Sequence, residues 1–192
     1  MKAWLWLFLS ATAFAQDWQN RDTLHLMADI KGDCYLATWT IPNFRSSTPD
    51  NINFLIGVGC GDTAKWAEVM VQKQWNRDGG FWALDFRFYK QMSKNWSLYV
   101  EPTVVISKPG FYEFVIVERR LGSRVSLRGE AEGTFRLSKQ SFAAGGGASF
   151  KLGEYKGWKF AVVAVYRSSP TGKDEPRAYL GISKRISLGG RK

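Results

Sequence analysis

Residues 124–138 read "RVSLRGEAEGTFRLS". From Val125 to Leu137 the odd positions are Val, Leu, Gly, Ala, Gly, Phe and Leu. The even positions from Ser126 to Ser138 are Ser, Arg, Glu, Glu, Thr, Arg and Ser. Successive side chains of a strand point to opposite faces, so this is one long strand with a wholly non-polar face and a charged, hydroxylated one. A helical period would scatter Arg128, Glu130, Glu132 and Arg136 around the whole cylinder.

The same alternation spreads outward from this stretch. "FWALDFRFYKQ" (81–91) sets Trp82, Leu84, Phe86 and Phe88 against Ala83, Asp85, Arg87 and Tyr89. "WSLYVEPTVVIS" (96–107) sets Trp96, Leu98, Val100 and Val104 against Ser97, Tyr99, Glu101 and Thr103, with Pro102 predicting a local break in the ladder. "FYEFVIVERR" (111–120) groups Tyr112, Phe114 and Ile116 on one face. "SFAAGGGASFKL" (141–152) carries Gly145 and Gly147 on the polar face, where they make room for bulky neighbours such as Tyr99 or Tyr179. "WKFAVVAVYRS" (158–168) turns Trp158, Phe160, Val162, Ala164 and Tyr166 one way and Arg167 the other; "RAYLGISKRISL" (177–188) ends the series. Upstream, "CYLATWTI" (34–41), "INFLIGVGCG" (52–61) and "KWAEVMVQKQW" (65–75) read as strands, with a turn-rich loop over 42–51 between the first two.

The fold class is therefore all-β: an antiparallel up-and-down barrel of about ten strands, eight to ten, each long enough to cross a bilayer when tilted. Closure removes long exposed edges that would otherwise aggregate. The two longest loops, 42–51 and 168–176, then share one rim, with the N-terminus on the other.

The ends set the compartment. "MKAWLWLFLSATAFA" (1–15) has a basic start at Lys2, an apolar core and a small-x-small site at Ala13–Ala15, the pattern of a secretory signal peptide. Residues 16–30 read as a polar leader, 31–188 as the barrel and 189–192 as a tail. Removing Lys2 takes the formal charge from +10 to +9. The cations are spread along the chain, which argues against nucleic acid as a partner. Cys34 and Cys60 are the two cysteines, and in an exported protein they predict one disulfide. The alternation around them assigns them to opposite faces, so the bond requires a bulge or a revised face.

Alternation alone does not say which face is wet. A soluble lipocalin-like carrier of an apolar ligand would line its cavity with Trp82, Phe86, Phe88 and Phe160. A membrane barrel would turn Leu84, Phe86, Leu127, Phe135, Phe160 and Val162 toward lipid. Its interfaces would be girdled with Trp75, Trp82, Trp96, Tyr112, Trp158 and Tyr166. Its lumen would enclose Asp85, Arg87, Glu101, Arg128, Glu130, Glu132, Arg136 and Arg167, and Arg185 shares that face. Aromatics at strand ends and close charges of both signs favour the membrane arrangement.

Over about 31–188 this pattern resembles the small bacterial outer-membrane β-barrel proteins. The resemblance implies a Gram-negative outer membrane, insertion by the barrel assembly machinery, and contact with membrane lipid and lipopolysaccharide. The last strand departs from those proteins: it ends in Gly-Gly-Arg-Lys rather than on an aromatic, and it carries Lys184 on the apolar face. The function implied is a porin-like narrow passive pore or an envelope structural protein. Conduction depends on whether the lumen charges pair off.

For catalysis there is little. His25 is the one histidine, precedes the first clear strand and has no partner in the local sequence. Some small barrels of this kind modify lipids with a histidine near the N-terminus, so His25 is the residue such a role would use. Glu130 and Glu132 sit too locally, between Arg128 and Arg136, for an acid–base pair. No metal-ligand spacing, phosphate loop or cofactor motif appears, so no metal, cofactor or enzymatic activity is expected.

Overall fold

The alternating stretches become strands, and among the described residues there is no helix. The computed structural model describes the backbone of residues 19–21, 23–45, 48–76, 79–107, 109–136, 139–168 and 175–186. Side chains are described within that set except at 19–21, 44–45, 48–50, 136, 139, 175–179 and 185–186. The signal-peptide stretch and the tail lie outside it, as do the side chains of Arg136, Tyr179 and Arg185.

The strands are β1 (Gln19–Arg21), β2 (Thr23–Lys31), β3 (Cys34–Arg45), β4 (Thr48–Gly61), β5 (Lys65–Asn76) and β6 (Gly79–Gln91). They continue as β7 (Trp96–Val105), β8 (Gly110–Arg120), β9 (Val125–Arg136), β10 (Lys139–Tyr155), β11 (Trp158–Ser168) and β12 (Glu175–Ile186). From β2 to β12 each strand lies antiparallel to the next. β12 then pairs in parallel with β2, from Gly181↔Thr23 to Ile186↔Ala28. β1 continues the same seam beyond β2, parallel to β12 at Gln19↔Arg177 and antiparallel to β3 at Asn20↔Phe44. The result is a closed mixed barrel of 11 strand positions.

Several expectations change. The count is 11 rather than about ten, and the closing pair is parallel, so the antiparallel meander is not complete. The cause is at the start of the chain. The second half of the leader at 16–30, whose alternation left it open as a strand or a plug-like segment, joins the barrel as most of β2, Thr23–Lys31. Its alternation of Leu24, Leu26, Ala28 and Ile30 fits a wall position, and pairing to both β3 and β12 satisfies its backbone. The loop at 42–51 is mostly strand, because β3 runs to Arg45 and β4 begins at Thr48. One added strand also reverses the parity of the ends. Call the end bearing the 32–33, 62–64 and 156–157 turns the lower rim. β12 ends there, whereas β1 begins at the upper rim, beside the connection at 169–174. The first described strand thus starts at the rim where β11 ends and β12 begins, opposite to the rim expected.

Local chemistry explains the turns. Lys156 and Gly157, with φ of 49° and 79°, form the two-residue link between Tyr155 and Trp158. That is the double left-handed geometry whose twist suits a hairpin. Pro102 has the foreseen effect: β6–β7 pairing lapses between Asp85↔Thr103 and Phe88↔Val100 without a change of register. Cys34 and Cys60 stand directly opposite each other on β3 and β4 and are bonded, so they share the outer face and no bulge separates them.

Candidate functional site: the barrel lumen

Register assigns the faces. Glu68, Asp85, Arg87, Glu101 and Glu130 are all buried inside the ring. Val58, Val69, Phe88, Leu127 and Phe135 are exposed outside it. Leu84, Phe86, Phe160 and Val162 share that outer face. Trp75, Trp82, Trp96, Trp158 and Tyr166 also lie there, toward the strand ends. Trp82 is 49 % exposed and Phe88 46 % exposed. Both rings face outward rather than into the lumen, which corrects the set expected to hold a carrier's ligand. Tyr112 is a second correction: it pairs with buried Thr103 and belongs to the inner face.

One side of the lumen is a network built by β2 through β7. Glu68 stands at its centre. Tyr35 donates its hydroxyl to Oε1 at 3.1 Å, and Trp39 donates Nε1 to Oε2 at 2.8 Å. His25 brings Nε2 to 3.2 Å from Oε1, at an angle short of a hydrogen bond, and stacks on Trp39 with centroids 3.7 Å apart. The other face of this group meets Arg87, whose guanidinium lies 4.3 Å from the Trp39 ring centroid. Arg87 donates Nε to Asp85 at 2.6 Å and Nη2 to Glu101 at 3.5 Å. Thr103 donates to Asp85 at 2.9 Å, and Tyr99 donates to Glu101 at 2.6 Å. Charges this deeply buried survive only when paired and hydrogen-bonded. Toward the upper rim Gln72 donates to Asn53, and Asn53 and Asn43 both donate to Asn51.

The side built by β8 through β12 is different. Arg128 donates to Glu130 at 2.6 Å and to Glu118 at 3.1 Å, and Arg167 donates Nη1 to Glu132. β8 lines the interior with Tyr112, Phe114 and Ile116, but from β10 to β12 the inner wall includes a run of small residues, Ala143, Gly145, Gly147, Ala161 and Gly181, beside Val163 and Val165. A Cβ on Gly145 or Gly147 would overlap the backbone of β11, so these glycines permit close strand approach rather than making room for Tyr99.

The thin wall leaves space. A cavity of about 300 Å³ lies between Trp39, Arg87, Tyr99, Glu101, Phe114 and Arg128 on one side and Ala161, Val163 and Gly181 on the other. A second, of about 650 Å³, runs toward the lower rim past His25 and Ser183 to Arg124, Lys151 and Lys159. Both are bounded by Thr23, Trp39, Ala161 and Gly181.

Of the expected lumen charges, Asp85, Arg87 and Glu101 fall in the first network, and Arg128, Glu130, Glu132 and Arg167 in the second group. His25 is corrected most. It lies on a barrel strand and meets Glu68 and Trp39, 43 and 14 positions further along. Ser183 lies opposite it across the β12–β2 seam, with no hydrogen bond between the two. Glu68, Tyr35 and Trp39 escaped the sequence reading, and the alternation in "KWAEVMVQKQW", which puts Glu68 in phase with Met70 and Gln72, was the available clue. Among the described residues no cluster of metal-binding side chains occurs. The chain was compared with protein-family models, curated proteins and solved structures, and it matches none of them.

Proposed function

We propose that the chain is a non-catalytic β-barrel of a Gram-negative outer membrane, with a lumen filled by ion pairs, serving as an envelope structural protein rather than an open pore. The observation that carries this reading is the inversion of the two faces. A barrel dissolved in water would put its aliphatic face at the centre. Here Arg87 is 1 % exposed and Asp85 1 %, while Val58 is 52 % and Val69 50 % exposed. An apolar band of that breadth on a soluble monomer would drive association, and a bilayer is the solvent that suits it.

The girdle chemistry agrees. Outer-face cations sit against the girdle aromatics: Lys73 lies 4.7 Å from the Trp82 ring, Arg119 5.6 Å from Trp96 and Lys184 4.9 Å from Trp158. Aromatic rings flanked by cations match a boundary lined by lipid and lipopolysaccharide phosphates. Lys184, anomalous on an apolar strand face, has the rim position a snorkelling lysine needs. The odd strand number is a departure from bacterial single-chain barrels, whose counts are even. Assembly by the barrel machinery therefore has an unusual parallel seam to close.

Fractionation tests the reading. The protein should stay with the envelope through salt and alkaline washes, dissolve only in detergent, and migrate faster unheated than boiled on a gel. In planar bilayers it should give current close to that of the bare membrane. Release without detergent would end the membrane reading, and steady salt-dependent steps would end the closed lumen.

A further inference from the structure

We infer that the chamber at the lower rim is a binding site for an organic anion with a compact apolar body, an inference that holds with or without the membrane reading. Three cations, Arg124, Lys151 and Lys159, come from three strand ends to one mouth. Among the described residues none of them forms an ion pair. Lys151 and Arg124 are tied together through their backbones, with the Lys151 N–H donating to the Arg124 carbonyl at 2.8 Å. The one acid at the mouth, Glu154, stands opposite Lys159 in the β10–β11 hairpin, so positive charge remains in excess. Elsewhere in this lumen every described acid sits beside a cation or a hydrogen-bond donor, which makes unmatched cations around a cavity a distinct feature.

The interior supplies the rest of the specificity. Past the cations the walls are Ala161, Gly181 and the Trp39 ring, which accept an apolar body. At the floor His25, its side chain 9 % exposed, borders the cavity with Nε2 held 3.2 Å from the Glu68 carboxylate. A volume of about 650 Å³ is within the range of small-molecule sites. Charge at the mouth and aromatic surface below it select an amphiphilic anion over a plain inorganic one, because phosphate alone would leave the apolar walls wet.

The size of the pocket also names a way to fill it. A Cβ on Gly181 meets only the Thr23 hydroxyl at 3.5 Å and Ala161 at 3.8 Å and beyond. A larger side chain there would therefore grow into the chamber rather than into the wall.

Naphthalene-2-sulfonate is a suitable probe, titrated calorimetrically into the folded, detergent-solubilised full chain and corrected against empty micelles. It should bind saturably, more weakly as salt is raised, and more tightly than neutral 2-naphthol or inorganic phosphate. The double variant Lys151→Gln/Lys159→Gln changes only exposed side chains, and it should weaken binding about tenfold at low salt. Gly181→Leu should abolish saturable binding. Dodecyl phosphate in the same micelles separates two sources of this chemistry: displacement of the probe assigns the site to a lipid-like anion, and no displacement to a soluble one. Equal affinity for the neutral naphthol, or unchanged affinity in the double lysine variant, would overturn the inference even if Gly181→Leu fails to fold.

Discussion

The two walls of the lumen solve one problem in opposite ways. On the β2–β7 side, Tyr35, Trp39, Leu55, Met70, Arg87 and Tyr99 fill the interior, and Glu68 and Arg87 are held from several directions. On the β8–β12 side, Gly145 and Gly147 bring β10 close to β11, small residues leave space, and Arg128 and Arg167 are held by Glu118, Glu130 and Glu132. The difference teaches that closing a barrel and filling it are separable. The thick wall supplies the plug, and the thin wall supplies the space.

The comparison breaks most directly at the two arginines. Arg87→Leu leaves Asp85 and Glu101 buried without their cation, so stability should fall by about 3–5 kcal/mol. Arg128 borders the smaller cavity, and its side chain is 15 % exposed. Of the carboxylates it leaves behind, Glu130 is buried but Glu118 has a side chain 28 % exposed that water can reach, so Arg128→Leu should cost less, about 1–3 kcal/mol. Urea unfolding in micelles, followed by the shift in gel migration, measures both. Equal losses would mean that the walls differ in shape and not in energetics.

The disulfide gives a second, somewhat smaller contrast. It joins β3 to β4 on the thick side, and with two cysteines in the chain the thin side has no such bond. Its sequence separation of 26 corresponds to about 3 kcal/mol of lost chain entropy in the unfolded state. Cys34→Ser/Cys60→Ser should lose up to about that much, and adding reductant should destabilise the parent chain but leave the variant unchanged. Stability unaffected by either change would show that the thick wall is held by its polar network alone.

How legible this was depended on each strand's pattern. β9 alternates cleanly, so both its faces could be read from a few residues. β8 is apolar in both phases, with Phe111, Val115 and Val117 outside and Phe114 and Ile116 inside, and for that reason Tyr112 was assigned to the wrong face. The disulfide was foreseen, but the faces of its cysteines were misassigned, because "CYLATWTI" and the glycine-rich strand opposite carry few polar markers. The Glu68 cluster draws on β2, β3 and β5, and no local spacing announces a contact of that span. Barrel parity was the most fragile inference, since leaving one strand out of the ring reversed the rim from which the first strand starts.

The smallest effect lies in how each wall turns its chain at the lower rim. The thin wall's 156–157 turn relies on backbone, with two consecutive left-handed residues. The thick wall's turn after β4 relies on a side chain: Asp62 accepts hydrogen bonds from the backbone N–H of Ala64 at 2.7 Å and of Lys65 at 2.9 Å. The Lys65 bond, then the Ala64 bond, holds the exposed Asp62 carboxyl below the usual aspartate range. A carboxyl depressed in the folded state stabilises above its unfolded value, near 4, and that contribution fades as pH falls through the lower folded value. Asp62→Ala should therefore cost a small, constant amount of stability from neutral pH down to about 4, and less below it. Asp62→Asn, which keeps an acceptor but no titrating group, should flatten that pH dependence. A penalty for Asp62→Ala that persists unchanged into strong acid would mean that this turn, like its counterpart on the thin wall, is held by backbone geometry.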